Sequence, residues 1–184
     1  GMCRGQTHYK RGMVHMSAIN PSRSEHVGTH FHDLSFSEQF VIWAIRMWMR
    51  ASCQSPSLFQ ILGEAFQVIG LPEAGRALDK GMCILSIGTD REVMFFSPDN
   101  ECLSRDECDF IRIIAAYQAK DTQQAEAFLG TWLPLAGTRI AGSAFSEFAS
   151  HLATGGFSLI RAPKSATKPQ NSVGIGRSPN SRLH

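Results

Sequence analysis

The chain lacks most of the local signatures that chemistry leaves in a sequence. Its five cysteines (Cys3, Cys53, Cys83, Cys102 and Cys108) include no Cys-x-x-Cys pair and are odd in number and widely spread. Neither a structural zinc site nor a disulfide framework is expected, and the thiols read as reduced, in a cytoplasm. There is no nucleophile elbow, phosphate-cradling glycine loop, His-Glu-x-x-His zinc helix or Glu-x-x-His pattern, which removes the commonest hydrolytic and nucleotide-dependent classes. Histidine is nearly missing from the middle of the chain, where His151 stands alone between 34 and 155. Acid–base work there would fall to carboxylates, and an enzyme is not the favoured expectation; no cofactor is implied. The richest apolar run, Phe40 to Trp48, is too short to span a bilayer, and the N-terminus has no apolar signal segment, so neither a membrane nor secretion is expected. Gly1 ahead of Met2 has the look of a remnant of a cleaved tag, with Met13 and Met16 as later starts.

Acid is absent from one further stretch. Residues 157–184 carry five bases and no acid, against nine bases and fourteen acids over 34–155 and four bases and two acids over 1–33. An acidic body argues against a nucleic-acid-binding core, which needs Lys and Arg clustered on a folded face; only non-specific contact by the basic tail is left. The segment ILGEAFQVIGLPEAGRALDKG has the outline of a helix-turn-helix, but Phe66 stands where a small residue belongs, and Glu73 and Asp79 would face phosphates.

What is present is helical spacing. Residues 1–33 and 156–184 show no apolar period and are expected to be disordered or partner-dependent arms. Between them the pattern predicts an all-α fold, a single bundle of about five to seven helices over 34–155. Ser35 with Glu38 spells a capping box for the first helix, in which Gln39, Arg46 and Arg50 form one narrow polar stripe. All other faces of that helix are apolar, so it belongs at the centre of the bundle or in a subunit contact. A second helix starts at Ser55-Pro56 and stops at Gly70, and Pro72 opens a third. Gly75 and Gly81 within the third cost about 1 kcal/mol each relative to Ala, implying close helix approach or a frayed end. Cys83 there reads as a small core residue. From Gly88 to Asn100 a loop is expected, its apolar run Val93 to Phe96 lying as a flap over the bundle. The fourth helix runs from Ser104, the fifth from Asp121 and the sixth from Pro134, the last with Ile140, Ala144, Phe145, Phe148 and Leu152 on one apolar stripe. The general layout resembles small helical bacterial proteins, a likeness that carries no chemistry with it.

Four sets of residues are candidates for function. His26, His30 and His32 could hold a divalent metal, since His26 and His30 are one helical turn apart and His-x-His suits a loop; a solvated arm is the competing reading. Cys102 and Cys108 flank the start of the fourth helix, where the dipole favours a thiolate while Asp106, Glu107 and Asp109 oppose it. An inter-helix pocket lined by Trp43, Met47, Phe66 and Tyr117, with Arg46 or Arg112 holding an anion, would suit a small molecule. His151 and Glu147 share one helix face, the usual exposed pair. With no catalytic constellation and many large apolar residues, the leading expectation is a non-catalytic interaction or regulatory module. It would be a homodimer, or bind another protein partner, through the first helix, the fourth helix or the 91–96 flap.

Overall fold

Three of the six helices begin where a side-chain cap tells them to. The computed structural model describes residues 26–159, and among these six α-helices pack with a two-stranded antiparallel sheet, the all-α bundle that the periodicity predicts. Helix α1 (Phe36–Cys53) opens with Ser35 accepting from the amide of Glu38 while Glu38 accepts from that of Ser35. Helix α4 (Arg105–Gln118) repeats the device with Ser104 and Glu107. Helices α2 (Leu58–Val68) and α3 (Pro72–Gly88) turn through Gly70, whose φ of 75° suits glycine. Asp121 caps α5 (Thr122–Leu129), and α6 (Leu135–Thr154) closes the series.

Antiparallel packing of α3 on α6 forms the largest helix contact. The chain ends of the two helices meet at Leu71 with Gly155 and at Gly88 with Leu133. A Cβ at Gly81 would lie 2.5 Å from the ring of Phe145, and one at Gly75 2.9 Å from that of Phe66, so both α3 glycines mark close approach rather than fraying. Edge-to-face rings fill the centre, with Phe110 on Phe145 at 5.2 Å and Phe95 on Phe110 at 6.1 Å.

Several expectations need correction. Regular structure reaches back before residue 34: β1 (His26–His30) pairs with β2 (Cys102–Ser104), and Phe31–Asp33 make a 3-10 turn. The rest of both arms, 1–25 and 160–184, lies outside the described residues. The segment 93–96 is irregular, as the loop reading had it, but it is core rather than cover: Val93, Phe95 and Phe96 are buried. Cys83 and Ile140 point outward, because α3 and α6 bury Leu78, Met82, Leu85, Phe145 and Phe148 instead. Arg46 does not share a solvated stripe with Gln39 and Arg50; it is fully buried.

Candidate functional site

The stretch Cys102-Leu103-Ser104-Arg105-Asp106-Glu107-Cys108 is where the bundle, the sheet and the loop over 89–101 meet. Its carboxylates stand on the first turn of α4, and both are buried. Glu107 receives a two-pronged ion pair from Arg46 of α1, Nε to Oε1 at 2.7 Å and Nη2 to Oε2 at 2.9 Å. The amide of Phe96 donates to the first oxygen and that of Ser104 to the second, each at 2.9 Å. Arg46 spends its remaining reach on the carbonyls of Asn100 and Cys102, both at 2.7 Å, and lies 5.6 Å over the ring of Phe31. Asp106 is equally occupied: Arg91 donates to both oxygens, Trp132 Nε1 to Oδ1 at 3.2 Å and the Met94 amide to Oδ2 at 2.8 Å.

Each carboxylate thus faces four donors, about the full acceptor capacity of its two oxygens. Neither has a lone pair left for a substrate proton. The pair instead fastens the loop to the bundle through two alternate backbone amides, Met94 and Phe96. Desolvating two charges is repaid only when all their bonding positions are met, and here they are.

Two grooves flank this rigid centre. The first, of about 630 Å³, lies between α2 and α3, with Trp48, Phe59, Leu62 and Phe66 on its walls and Gln67, Arg76, Asp79 and Cys83 among its polar residues. The indole of Trp48 donates to Asp79 at 2.7 Å, which fixes the wall that α1 provides. Burial pushes the Cys83 thiol up, and Asp79 beside it adds to the effect. Beyond the rim α2 continues apolar on its outer face, where Ile61 is 48% and Val68 86% exposed.

The second groove, also about 630 Å³, runs between α4, α5 and the start of α1. Leu34, Leu103, Ile111, Phe128 and Leu159 give it apolar walls, Ala115 and Ala119 a shallow floor, and Glu38, Arg112, Asp121 and Gln124 polar corners. Arg112 is held by Asp109 at 2.7 Å. Cys108 also lines it, and burial pushes its thiol up, Glu107 and Asp109 adding to burial while Arg112 opposes.

The residues expected to share one pocket do not. Met47 and Tyr117 are core, Trp43 packs beside Phe40 at 5.8 Å, Phe66 lines the first groove and Arg112 the second. Arg46 is saturated and meets neither. Nor do the histidines form a turn of helix. In a strand, residues four apart stand up to roughly 13 Å from each other, so His26 and His30 cannot sit as helical neighbours on one metal. The side chain of His26 lies outside the described residues; His30 and His32 are exposed, and no group of three metal-capable side chains converges among the described residues. Cys102 and Cys108 are both free thiols. His151 meets Glu147 at 3.8 Å on the surface.

Sequence reasoning missed the clamp of Arg46 by Glu107, the loop anchoring by Asp106 and the bond of Trp48 to Asp79. One signal was available, an arginine in a helix whose surroundings are otherwise apolar, which demands a buried acid somewhere in the chain. No protein family, curated protein or solved structure matches this chain.

Proposed function

We propose that the protein is a non-catalytic helical interaction module that pairs with a second copy of itself through α2 and the groove between α2 and α3. The surfaces first expected to dimerise, α1, α4 and the 91–96 flap, are largely spent on the monomer core. The observation that carries the reading is the apolar ridge of Ile61 and Val68 standing beside an apolar groove on the same helix. A ridge next to a groove is self-complementary: under a two-fold axis each copy lays its ridge in the other's groove, the isologous arrangement of most dimers. Charge supports the same pairing. Exposed Glu64 lies on the flank of the ridge and Arg76 on the groove, tied only to Glu73 by a surface pair that exchanges readily. The saturation of Asp106 and Glu107 supports the non-catalytic part. Free thiols at Cys53, Cys83, Cys102 and Cys108 suit a reducing cytoplasm, and no helix among the described residues is long and apolar enough to cross a membrane.

Light scattering across a concentration series tests it. A dimer is expected, weakened by Val68→Glu and by Glu64→Arg or Arg76→Glu alone, and restored when the two charge reversals are combined. A monomer at every concentration up to the solubility limit overturns the reading.

A further inference from the structure

A glycine stands inside α2 where the folded chain gives it no reason to. Gly63 is five residues from either end of Leu58–Val68 and is exposed, in a helix interior where alanine is the more stabilising residue. The interior glycines of the other helices are accounted for by their neighbours: a Cβ would stand 2.9 Å from the Phe66 ring at Gly75, 2.5 Å from the Phe145 ring at Gly81 and 2.5 Å from the Tyr117 hydroxyl at Gly142. At Gly137, in the first turn of α6, it would have Leu133 at 3.4 Å. At Gly63 it would meet nothing within 4 Å among the described residues.

The groove between α2 and α3 supplies a reason. Phe59, Gly63 and Phe66 follow one another at i, i+4 and i+7, so they stand along one face of α2, and all three line the groove. Phe59 is braced by Trp48 at 5.9 Å, and Phe66 by Phe40 at 5.2 Å and by the close approach of Gly75. Two fixed rings therefore flank a position without a side chain, a notch one side chain wide. The exposed ridge on the same helix carries β-branched Ile61 and Val68, whose short, stiff side chains suit such a notch. Glu64, next in sequence, and Arg76, on the wall that α3 provides, carry the opposite charges that would flank it.

We propose that Gly63 is the seat of the dimer contact: the ridge of a second copy enters the notch between Phe59 and Phe66, and the absent side chain sets how closely the two helices approach. This rests on the self-pairing through α2 proposed above and adds the position that decides its affinity. Under the two-fold axis each dimer has two such seats, so a substitution at Gly63 acts twice.

Sedimentation velocity and thermal melts of the full chain test it. In the Val68→Glu background, at concentrations where the chain is monomeric, Gly63→Ala should raise Tm by about 2–4 °C, since alanine favours a helix over glycine and would meet no neighbour. In the otherwise native chain the same substitution should weaken dimerisation about tenfold or more, and Gly63→Leu, which fills the notch, about a hundredfold or more. A more stable monomer and a weaker dimer from one methyl group is the expected signature. A native dimer that Val68→Glu breaks but that both Gly63 variants leave within about twofold overturns the seat while the pairing stands. A Tm lowered by Gly63→Ala in the monomeric background also overturns it, since the fold itself would then require the glycine. A native chain that is monomeric at every concentration overturns the pairing, and the seat with it.

Discussion

Tyr117 and Gly142 give the sharpest test of how the interior is packed. Tyr117 is buried on α4, and its hydroxyl meets no hydrogen-bonding partner among the described residues. It points at α6, where a Cβ on Gly142 would stand 2.5 Å from the phenol oxygen, the next nearest atoms being Leu129 Cδ1 and Tyr117 Cζ at 3.7 Å. The oxygen alone forbids alanine there. Gly142→Ala in the native background should lose stability, overpacking costing about 1–3 kcal/mol against roughly 1 kcal/mol gained in helix propensity. Tyr117→Phe should gain about 1 kcal/mol by removing an unsatisfied polar group. Once the oxygen is gone the alanine methyl makes only ordinary contacts, so the double variant should exceed the native protein by about 2 kcal/mol, or roughly 4–8 °C in Tm. The two single effects must therefore fail to add, by more than about 1 kcal/mol, in urea unfolding followed by circular dichroism. A Tyr117→Phe variant less stable than the native protein, or a Gly142→Ala cost that is the same in both backgrounds, would refute the reasoning.

The same hydroxyl sets an alkaline limit. Burial pushes Tyr117 up to about 12 from its usual 10, with Glu126 adding to it. The folded chain keeps a proton there that the unfolded chain releases, so stability is intact below pH 10 and falls as pH rises towards 12. Unfolding titrations should show a shallower fall in Tyr117→Phe; an identical slope would dismiss the assignment. Removing one partner of the central ion pair, by Arg46→Met or Glu107→Ala, should cost about 3–5 kcal/mol, since the other charge stays buried. Hydrogen exchange adds a local signature, with Phe96 losing protection in Glu107→Ala and Met94 in Asp106→Ala. Cys108, its thiol raised by burial, should be alkylated at neutral pH more slowly than the same residue in the urea-unfolded chain. Faster reaction would revive the redox reading of Cys102 and Cys108.

What could be read from the sequence was local. A capping box needs four consecutive residues, and Ser35 with Glu38 and Ser104 with Glu107 both form as spelled. Proline at the start of α3 and glycine after α2 and α6 likewise act on their own neighbours. What failed depended on partners far along the chain. Arg46 and Glu107 are 61 positions apart, and nothing in a helical period says that a polar position will be neutralised rather than solvated. Strand β2 has three residues and exists because β1 passes beside it; neither would be stable alone. Ile140 fits the apolar stripe of α6 yet is 56% exposed; the face that α6 buries takes in Thr138, Ala141 and Phe145 instead. The pocket expected from Trp43, Met47, Phe66 and Tyr117 failed for the same reason: which apolar residues line a groove is decided by what the core leaves uncovered.

Helix α1 borders both grooves, with Glu38 near its start in the second and Trp48 near its end in the first. Among the described elements it is the one candidate to carry a signal between them, and its fixings argue that it carries none. Coupling requires an element with two alternative arrangements that the two sites favour differently. Between those residues Arg46 is bound to Glu107, Asn100 and Cys102 at 2.7 Å each. Trp48 is tied to Asp79. A shift of α1 would break several of these bonds at once, the two from Arg46 to Glu107 in the buried interior. The two grooves are therefore expected to act independently. Ala119→Trp, at the second groove, should leave the dimerisation constant within about twofold of native, and Val68→Glu should leave the alkylation rate of Cys108, which lines that groove, unchanged, as expected of distant sites that share no mobile partner. A change of about tenfold or more in either, some 1.4 kcal/mol of coupling, would mean that α1 moves despite Arg46, and would contradict the rigidity that the saturated ion pair implies.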